Sequence, residues 1–251
     1  MERRHLGSDL HVLVAEDPGF LVAFTERGGG VSEQPFRSLN LGYRTQDDAE
    51  RVGKNRRRVI DALGIPPFAT ARQVHGATLH RVGRSRAPAG FAEPSAALPE
   101  ADILSVSEPR VPVAVLVADC LPVALASRSE QRLAAVHAGW RGLAAGALAR
   151  AASEFEDRGG VRAFIGPAIG PCHYEVGEEV IAELGAAAPV TEWRGGRTFL
   201  DLGATAEGVL RREGIGEVAS AGICTHCAED RFFSYRRDGR TGRQAMLAMR
   251  L

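Results

Sequence analysis

VAVLVADCLPVALASRSEQRLAAVHAGWRGLAAGALAR, residues 113–150, is the stretch on which the reading of the fold turns. Its first apolar run, residues 113–117, lies between Pro112 and Asp119 and is rich in Val. A short run that is apolar at every position predicts a strand buried on both faces. Residues 123–126 and 133–136 read the same way. Cys120 and His137 therefore each stand just past a predicted strand end. Gly139-Trp140-Arg141-Gly142 opens a helix predicted to reach about Phe155, with Leu143, Ala147, Leu148, Ala151 and Phe155 on its inner face. Strand ends in layered α/β proteins collect reactive groups, because the sheet is rigid and the loop leaves room for a ligand.

Working outward, residues 20–25 (FLVAFT) predict a strand that runs into Glu26-Arg27-Gly28-Gly29-Gly30. Glycines after a strand let backbone N–H groups approach an anion, and Arg27 beside Gly28 and Gly29 fits an anion site; a plain turn fits as well. Residues 38–42 are rich in turn formers. A helix is predicted over 47–63, capped by Asp47 and Asp48, with Val52, Val59, Ile60 and Leu63 on one face and Gly64 as its stop. Arg56-Arg57-Arg58 on that helix reads as a solvated face.

Further strands are expected over 78–82, 101–106, 163–165, 218–223, 231–235 and 244–249, short helices over 178–184 and 202–212, and an exposed loop over 83–99. Strands and helices mix without strict alternation. The expected fold is therefore α/β (α+β), a single domain over residues 1–251 of mixed β-sheets flanked by helices, not a regular Rossmann fold.

The chain has 251 residues, 45% of them hydrophobic, which is enough for a substantial core. It carries 31 basic and 31 acidic residues, so no net field draws it to nucleic acid or acidic lipid. Lys54 is its only Lys. It shows no long apolar span and no apolar signal core near its start, so the expectation is a soluble cytoplasmic protein, read as a monomer. Four cysteines, Cys120, Cys172, Cys224 and Cys227, are too few for a disulfide framework in this length. Thiol or metal-ligand roles suit them better.

His75, Cys120 and His137 are three soft or borderline donors at predicted strand ends, each beside small residues, and three such donors make a catalytic metal site if they converge. Their separations match no zinc-finger spacing, so a buried Cys and core-bonded imidazoles remain the other reading. Asp119 is a candidate general base or a cap for the following turn. Arg141, near a helix N-terminus, is a candidate anion holder or a surface ion-pair partner. Cys224-x-x-Cys227, with His226 inside, could be redox-active or half of a metal site that Cys172-His173 completes.

Nine segments then occur in one order: TERGGGVS (25–32), SLNLG (38–42), Asn55-Arg56, QVHG (73–76), ADCLP (118–122), VHAGWRG (136–142), IGPAIG (165–170), YEVG (174–177) and FFSYRR (232–237). Together they resemble the family once described as multicopper polyphenol oxidoreductases, or laccase-like proteins, and now as purine nucleoside phosphorylases with adenosine deaminase activity. The resemblance covers about residues 20–251. It implies a zinc ion on His75, Cys120 and His137, with copper as the other metal candidate, and a fold related to cysteine hydrolases. It also implies phosphorolysis of adenosine, inosine, guanosine and methylthioadenosine, and deamination of adenosine to inosine. Its partners would be purine nucleosides and phosphate, with no nucleic acid and no membrane. Residues of the matching motifs expected at substrate are Arg27, Gly28, Gly29, Asn40, Gln73 and Arg141; Cys120, His75, His137 and Asp119 carry the chemistry. The resemblance assigns no role to Cys172, His173 or the CTHC segment.

Other readings compete. A metal-free cysteine hydrolase or amidase would use Cys120 as nucleophile with His137 or His75 as base. Copper-dependent phenol oxidation ranks low, since a laccase needs several coppers and far more His ligands than the seven His here supply. A non-catalytic binding module predicts no turnover.

Overall fold

The structure is a computed structural model that describes residues 1–7, 9–15, 17–84, 90–92, 97–187 and 189–251. In chain order its strands begin with β1 (Glu2–His5), β2 (His11–Ala15), β3 (Phe20–Thr25), β4 (Leu79–Arg81), β5 (Ile103–Val106), β6 (Val113–Val117) and β7 (Leu121–Ser127). They continue with β8 (Arg132–Ala138), β9 (Val161–Ile165), β10 (Glu175–Val176), β11 (Val190–Arg194), β12 (Arg197–Asp201), β13 (Glu217–Ser220) and β14 (Gln244–Arg250). The α-helices are α1 (Ala49–Leu63), α2 (Trp140–Ala144), α3 (Ala147–Ala152), α4 (Glu178–Glu183), α5 (Leu202–Arg212) and α6 (Tyr235–Asp238).

A strand that is apolar throughout must be covered on both faces, and β6 and β14 are. Val113, Val115 and Val117 of β6 face one core with Met246 and Ala248 of β14, while Ala114, Ala245, Leu247 and Met249 face another. These strands lie in an antiparallel five-stranded sheet ordered β1-β2-β3-β14-β6. A second sheet, ordered β13-β9-β7-β8-β5-β4, is mixed, with β13 parallel to β9 and β4 parallel to β5. Its strands alternate likewise. Ala124, Ala126, Leu133 and Ala135 share a core with β6, whereas Val123, Leu125, Ala134 and Val136 face Leu143, Leu148 and Leu210 of the helices. The result is four layers: α1, five-stranded sheet, six-stranded sheet, and helices α2–α5. Burying each Val or Leu stabilises by about 1.5–3 kcal/mol, so the face-to-face core dominates over any surface contact. A three-stranded sheet, β10-β12-β11, stands beside the helices.

The mixed sheets with outer helices match the expectation. The central strands, α1 and α5 appear where predicted; Asp48, not Asp47, caps α1 by accepting from the N–H groups of Glu50 and Arg51. Four readings need correction. The helix expected from Arg141 to Phe155 is two short helices, broken where Gly146 adopts φ +78°. Residues 231–235 form no strand: Phe232 and Phe233 are fully buried plugs, and the Gln244 side chain takes both the N–H and C=O of Phe233 in place of a ladder. β1, β2 and the β11–β12 hairpin went unread. Arg56 is fully buried, not solvated. Of the loop read over 83–99, residues 85–89 and 93–96 lie outside the described residues.

Candidate metal centre and its cavity

Between β6 and β7 the chain passes from one sheet to the other through Ala118-Asp119-Cys120. Asp119 sits there at φ +86°, a left-handed conformation that a non-glycine residue holds only when its surroundings enforce it. They do: Thr225 Oγ1 donates to Asp119 Oδ1 at 2.6 Å, and the Arg236 N–H donates to Oδ2 at 2.7 Å. His137 lies one residue before the end of β8. Side chains alternate along a strand, so His137 follows Leu133 and Ala135 onto the face between the sheets. His75 sits in the loop before β4, also left-handed at φ +63°.

The residue that assembles this site is Asp102, just ahead of β5 and 1% exposed. Its Oδ1 accepts from His137 Nδ1 at 2.8 Å and from the His75 N–H at 3.0 Å. Its Oδ2 accepts from the N–H groups of Gly76 at 2.8 Å and Val74 at 3.2 Å. One carboxylate therefore orients the His137 ring, leaving Nε2 as that ring's remaining donor, and shapes the loop carrying His75. Burial opposes ionisation of Asp102, but the bonds from His137 and the loop amides win and hold its carboxyl below the usual range.

The ligand atoms of His75, Cys120 and His137 all lie within 4.8 Å of one another. His75 Nε2 is 3.8 Å from Cys120 Sγ, and the two imidazole centroids are 4.8 Å apart. Only glycine fits behind them: a Cβ on Gly139 would stand 3.0 Å from Cys120 Sγ and 3.3 Å from His75 Cδ2. Burial disfavours the Cys120 thiolate. The charge of His137 and hydrogen bonds from both imidazoles outweigh it and bring the thiol down to about 6. Against burial, Cys120 and Asp102 push His137 up to about 9. A thiolate and two imidazoles with one position open is the donor set of a catalytic zinc site.

The three residues open onto a cavity of about 540 Å³, a size that takes a nucleoside-sized ligand. Arg44, Arg56, Arg72, Arg141, Arg236 and Arg243 line it, against a single carboxylate among the described residues, Asp119. Arg56 is committed elsewhere. It donates to the carbonyls of Leu41, Gly90 and Phe91 between the rings of Tyr43 and Phe68, and burial lowers it to about 10. Arg72 pairs with Glu100. Among the described residues, Arg44, Arg141, Arg236 and Arg243 have no carboxylate partner. One nitrogen of Arg236 donates to the Glu175 carbonyl and one of Arg243 to the carbonyls of Thr241 and Gly242, while their charge stays unpaired by any acid there. Arg141 lies 4.3 Å over Trp140 and Arg236 5.0 Å over Tyr174, giving the cavity an aromatic wall. Burial, then the charge of Cys120, pushes Tyr174 up to about 12 and keeps its phenol protonated.

Of the expected substrate residues, Gln73 and Arg141 line the cavity. The Gln73 amide mimics a strand, donating to the Leu116 carbonyl and accepting from the Leu116 N–H, both at 2.8 Å. Arg27, Gly28, Gly29 and Asn40 do not line it. Arg27 donates to the carbonyls of Arg37 and Glu229. A Cβ on Gly28 or Gly29 would stand 3.1 Å from the Asp9 carbonyl or 2.7 Å from the Leu10 nitrogen, so these glycines serve backbone packing. Asn40 is buried, donating to Thr45 and Asp47 and accepting from the N–H groups of Gly42 and Arg243. Asp102, Tyr174, Arg236 and Arg243 carry no sequence pattern that marks them for such a site, although Tyr174 and Arg236 lie inside the segments YEVG and FFSYRR.

A family described as multi-copper polyphenol oxidoreductase laccase matches residues 21–251. A Xylella fastidiosa (strain 9a5c) protein named purine nucleoside phosphorylase is 41% identical over 254 residues, covering 94% of this chain and 96% of the relative. The crystal structure of the Bacillus licheniformis hypothetical protein YfiH superposes with a TM-score of 0.92 at 31% identity, over 99% of both chains. YlmD from Geobacillus stearothermophilus superposes with a TM-score of 0.90 at 33% identity, over 95% of this chain and 96% of its own.

Proposed function

The chain belongs to the multi-copper polyphenol oxidoreductase laccase family, and on that premise we propose that it is a purine nucleoside phosphorylase that also deaminates adenosine. Its substrates in this reading are adenosine, inosine, guanosine and methylthioadenosine. The observation that carries it is one cavity in which arginines without carboxylate partners among the described residues face a His/Cys/His cluster.

In phosphorolysis an oxygen of phosphate bonds to C1′ of the ribose while the C1′–N bond breaks. The purine leaves with the bonding electrons and gains a proton. Arg44, Arg141 and Arg243 suit the holding of the phosphate dianion, and positioning alone can supply much of the rate. Burial lowers Arg243, yet the charges of Cys120 and Asp119 beside it favour its cationic form. The aromatic wall of Trp140 and Tyr174 suits a purine ring. Asp119 is the candidate proton acceptor, and Gln73 and Arg141 are candidate substrate contacts. His75, Cys120 and His137 would hold a zinc ion, whose Lewis acidity is the chemistry that attack of water at purine C6 calls for. A multicopper centre does not fit these residues: seven His are spread over the chain, and only two stand at the cavity.

The test is chromatography of products from adenosine, with and without phosphate, for wild type and Cys120→Ala. Adenine or hypoxanthine release that requires phosphate, and inosine formation that does not, all lost in the variant, is the expected result. Full activity in the variant would overturn the site assignment. A second reading has its own support: Cys120, His137 and Asp102 stand in the order of nucleophile, base and orienting acid of a cysteine amidase. Metal content separates the two: zinc lost in His75→Ala/Cys120→Ala relative to wild type supports the phosphorylase, whereas a metal-free amidase would lose none there.

A further inference from the structure

Cys172, His173, Cys224 and Cys227 take no part in the chemistry above, yet their ligand atoms also lie within 4.8 Å of one another. We propose that these four residues form a second metal site, a closed four-coordinate structural zinc site that ties together two turns of the cavity wall. The inference is independent of which reaction the cavity performs.

The two turns are brought together by the fold. Ala168 forms a parallel bridge with Cys224, and the Thr225 N–H donates to the Ala168 carbonyl. Behind the bridge each chain turns. The N–H groups of His173 and Tyr174 return to the Gly170 carbonyl, and that of Ala228 returns to the Cys224 carbonyl. One turn presents adjacent Cys172 and His173, the other Cys224-x-x-Cys227. Cys172 Sγ is 3.4 Å from Cys227 Sγ, which is 3.3 Å from His173 Nδ1. Tetrahedral zinc with Zn–S near 2.3 Å and Zn–N near 2.0 Å has ligand–ligand edges of about 3.5–3.8 Å, so the donors need only small shifts. The Gly170 N–H donates to Cys224 Sγ at 3.3 Å, the outer bond that favours a thiolate. A Cβ on Gly170 would stand 3.3 Å from Cys224 Cβ, a tight contact, and at ordinary distance from the sulfurs of Cys172 and Cys224. His226 stacks on His173 with centroids 3.7 Å apart and rings 11° from parallel, which fixes the ring.

Three thiolates and one imidazole leave no open position, which marks a structural rather than a catalytic site. The position gives it a task. Cys224 precedes Thr225, whose hydroxyl holds Asp119, and His173 precedes Tyr174 of the aromatic wall. Zinc on the two turns would lock both residues.

Metal content by mass spectrometry of protein produced in zinc-supplemented medium tests this. Wild type is expected to carry two zinc ions per chain, and His75→Ala/Cys120→Ala and Cys172→Ser/Cys227→Ser one each. Zinc X-ray absorption of His75→Ala/Cys120→Ala should show three sulfurs and one nitrogen. No zinc in His75→Ala/Cys120→Ala, the same zinc content in Cys172→Ser/Cys227→Ser as in wild type, or an oxygen-dominated shell would each overturn the proposal. If Cys172→Ser/Cys227→Ser does not fold, the zinc content and absorption spectrum of His75→Ala/Cys120→Ala still decide. Thiol titration of denatured, demetallated wild type should find all four cysteines free; two missing would mean a Cys172–Cys227 disulfide instead.

Discussion

Replacing Asp102 by Asn tests the assembly of the His/Cys/His cluster with almost no change of shape. The carboxylate accepts four hydrogen bonds at 2.8–3.2 Å, from His137 Nδ1 and the N–H groups of His75, Gly76 and Val74. An amide has one acceptor oxygen, so its NH₂ must face two of those donors. Hydrogen bonds to a buried charged group contribute about 1.5–3 kcal/mol each, so losing two predicts a destabilisation of about 3–6 kcal/mol, since Asp102 is 1% exposed and water cannot compensate. The loss of ring orientation should cost about 10- to 100-fold in affinity for metal at the cluster. Urea unfolding measures the first, and chelator competition the second. The pH dependence carries a sign. The folded-state pKa of Asp102 is depressed, so its contribution is present above the unfolded carboxylate pKa and lost as pH falls through the lower folded value. The acid limb of the wild-type stability profile should therefore flatten in Asp102→Asn. A variant with wild-type urea midpoint and unchanged zinc affinity would refute the role given to Asp102.

In metal-free protein, alkylation of Cys120 should rise with pH through about 6 and then level off, because His137 holds it as thiolate; mass spectrometry localises the adduct, and a midpoint near the ordinary thiol value would contradict the pairing. Gly139→Ala would place a methyl 3.0 Å from Cys120 Sγ, so the variant should fold but lose metal at the cluster; full metal content would show that the backbone yields there. Arg56→Met should destabilise by about 2–4 kcal/mol in urea titration, because three buried carbonyls lose their donor. A loss below about 1 kcal/mol would mean that water replaces the guanidinium.

The strands that build the core were legible because apolar runs such as residues 113–117 leave few alternatives for a buried segment. The helix α1 was legible from its apolar spacing and caps, and that spacing also held an unread signal. Arg56 lies four residues after Val52 and three before Val59, on the buried face, so the run Arg56-Arg57-Arg58 could not all be solvated. β11 and β12 escaped because every residue of β11 is exposed and no apolar period marks it. Residues 231–235 misled in the other direction: two buried Phe resemble a strand, but a side-chain amide, invisible to periodicity, satisfies the backbone.

For the candidate site, residue type was readable and position was not. Arg27 looked like an anion holder because it precedes three glycines, yet its donors are consumed by the carbonyls of Arg37 and Glu229. Arg243 sits in an Arg-rich turn that reads as solvent-facing, and only the return of β14 along β6 brings it to the cavity. Asp102 was hidden in an apolar strand, where a single acid gives no pattern. Convergence of His75, Cys120 and His137 depends on a crossover from one sheet to the other at residues 118–120 and on the loop bonded to Asp102. Neither leaves a local mark, which is why their separation matches no metal-binding spacing although the fold brings the three side chains together.

The two donor clusters obey one logic when followed through Asp119. That residue holds a left-handed backbone beside Cys120, and the Thr225 hydroxyl and the Arg236 N–H keep it there. Thr225 adjoins Cys224, and the Ile169 N–H donates to the Asp119 carbonyl three residues before Cys172. The turn that aims Cys120 into the cavity is thus braced by the very segments that carry the second cluster. A strained backbone persists only where its supports are stiff, and two exposed turns at a surface are not stiff by packing alone. Linking them through four ligands supplies that stiffness, so loosening the second cluster should be felt at Cys120 without any direct contact between the two.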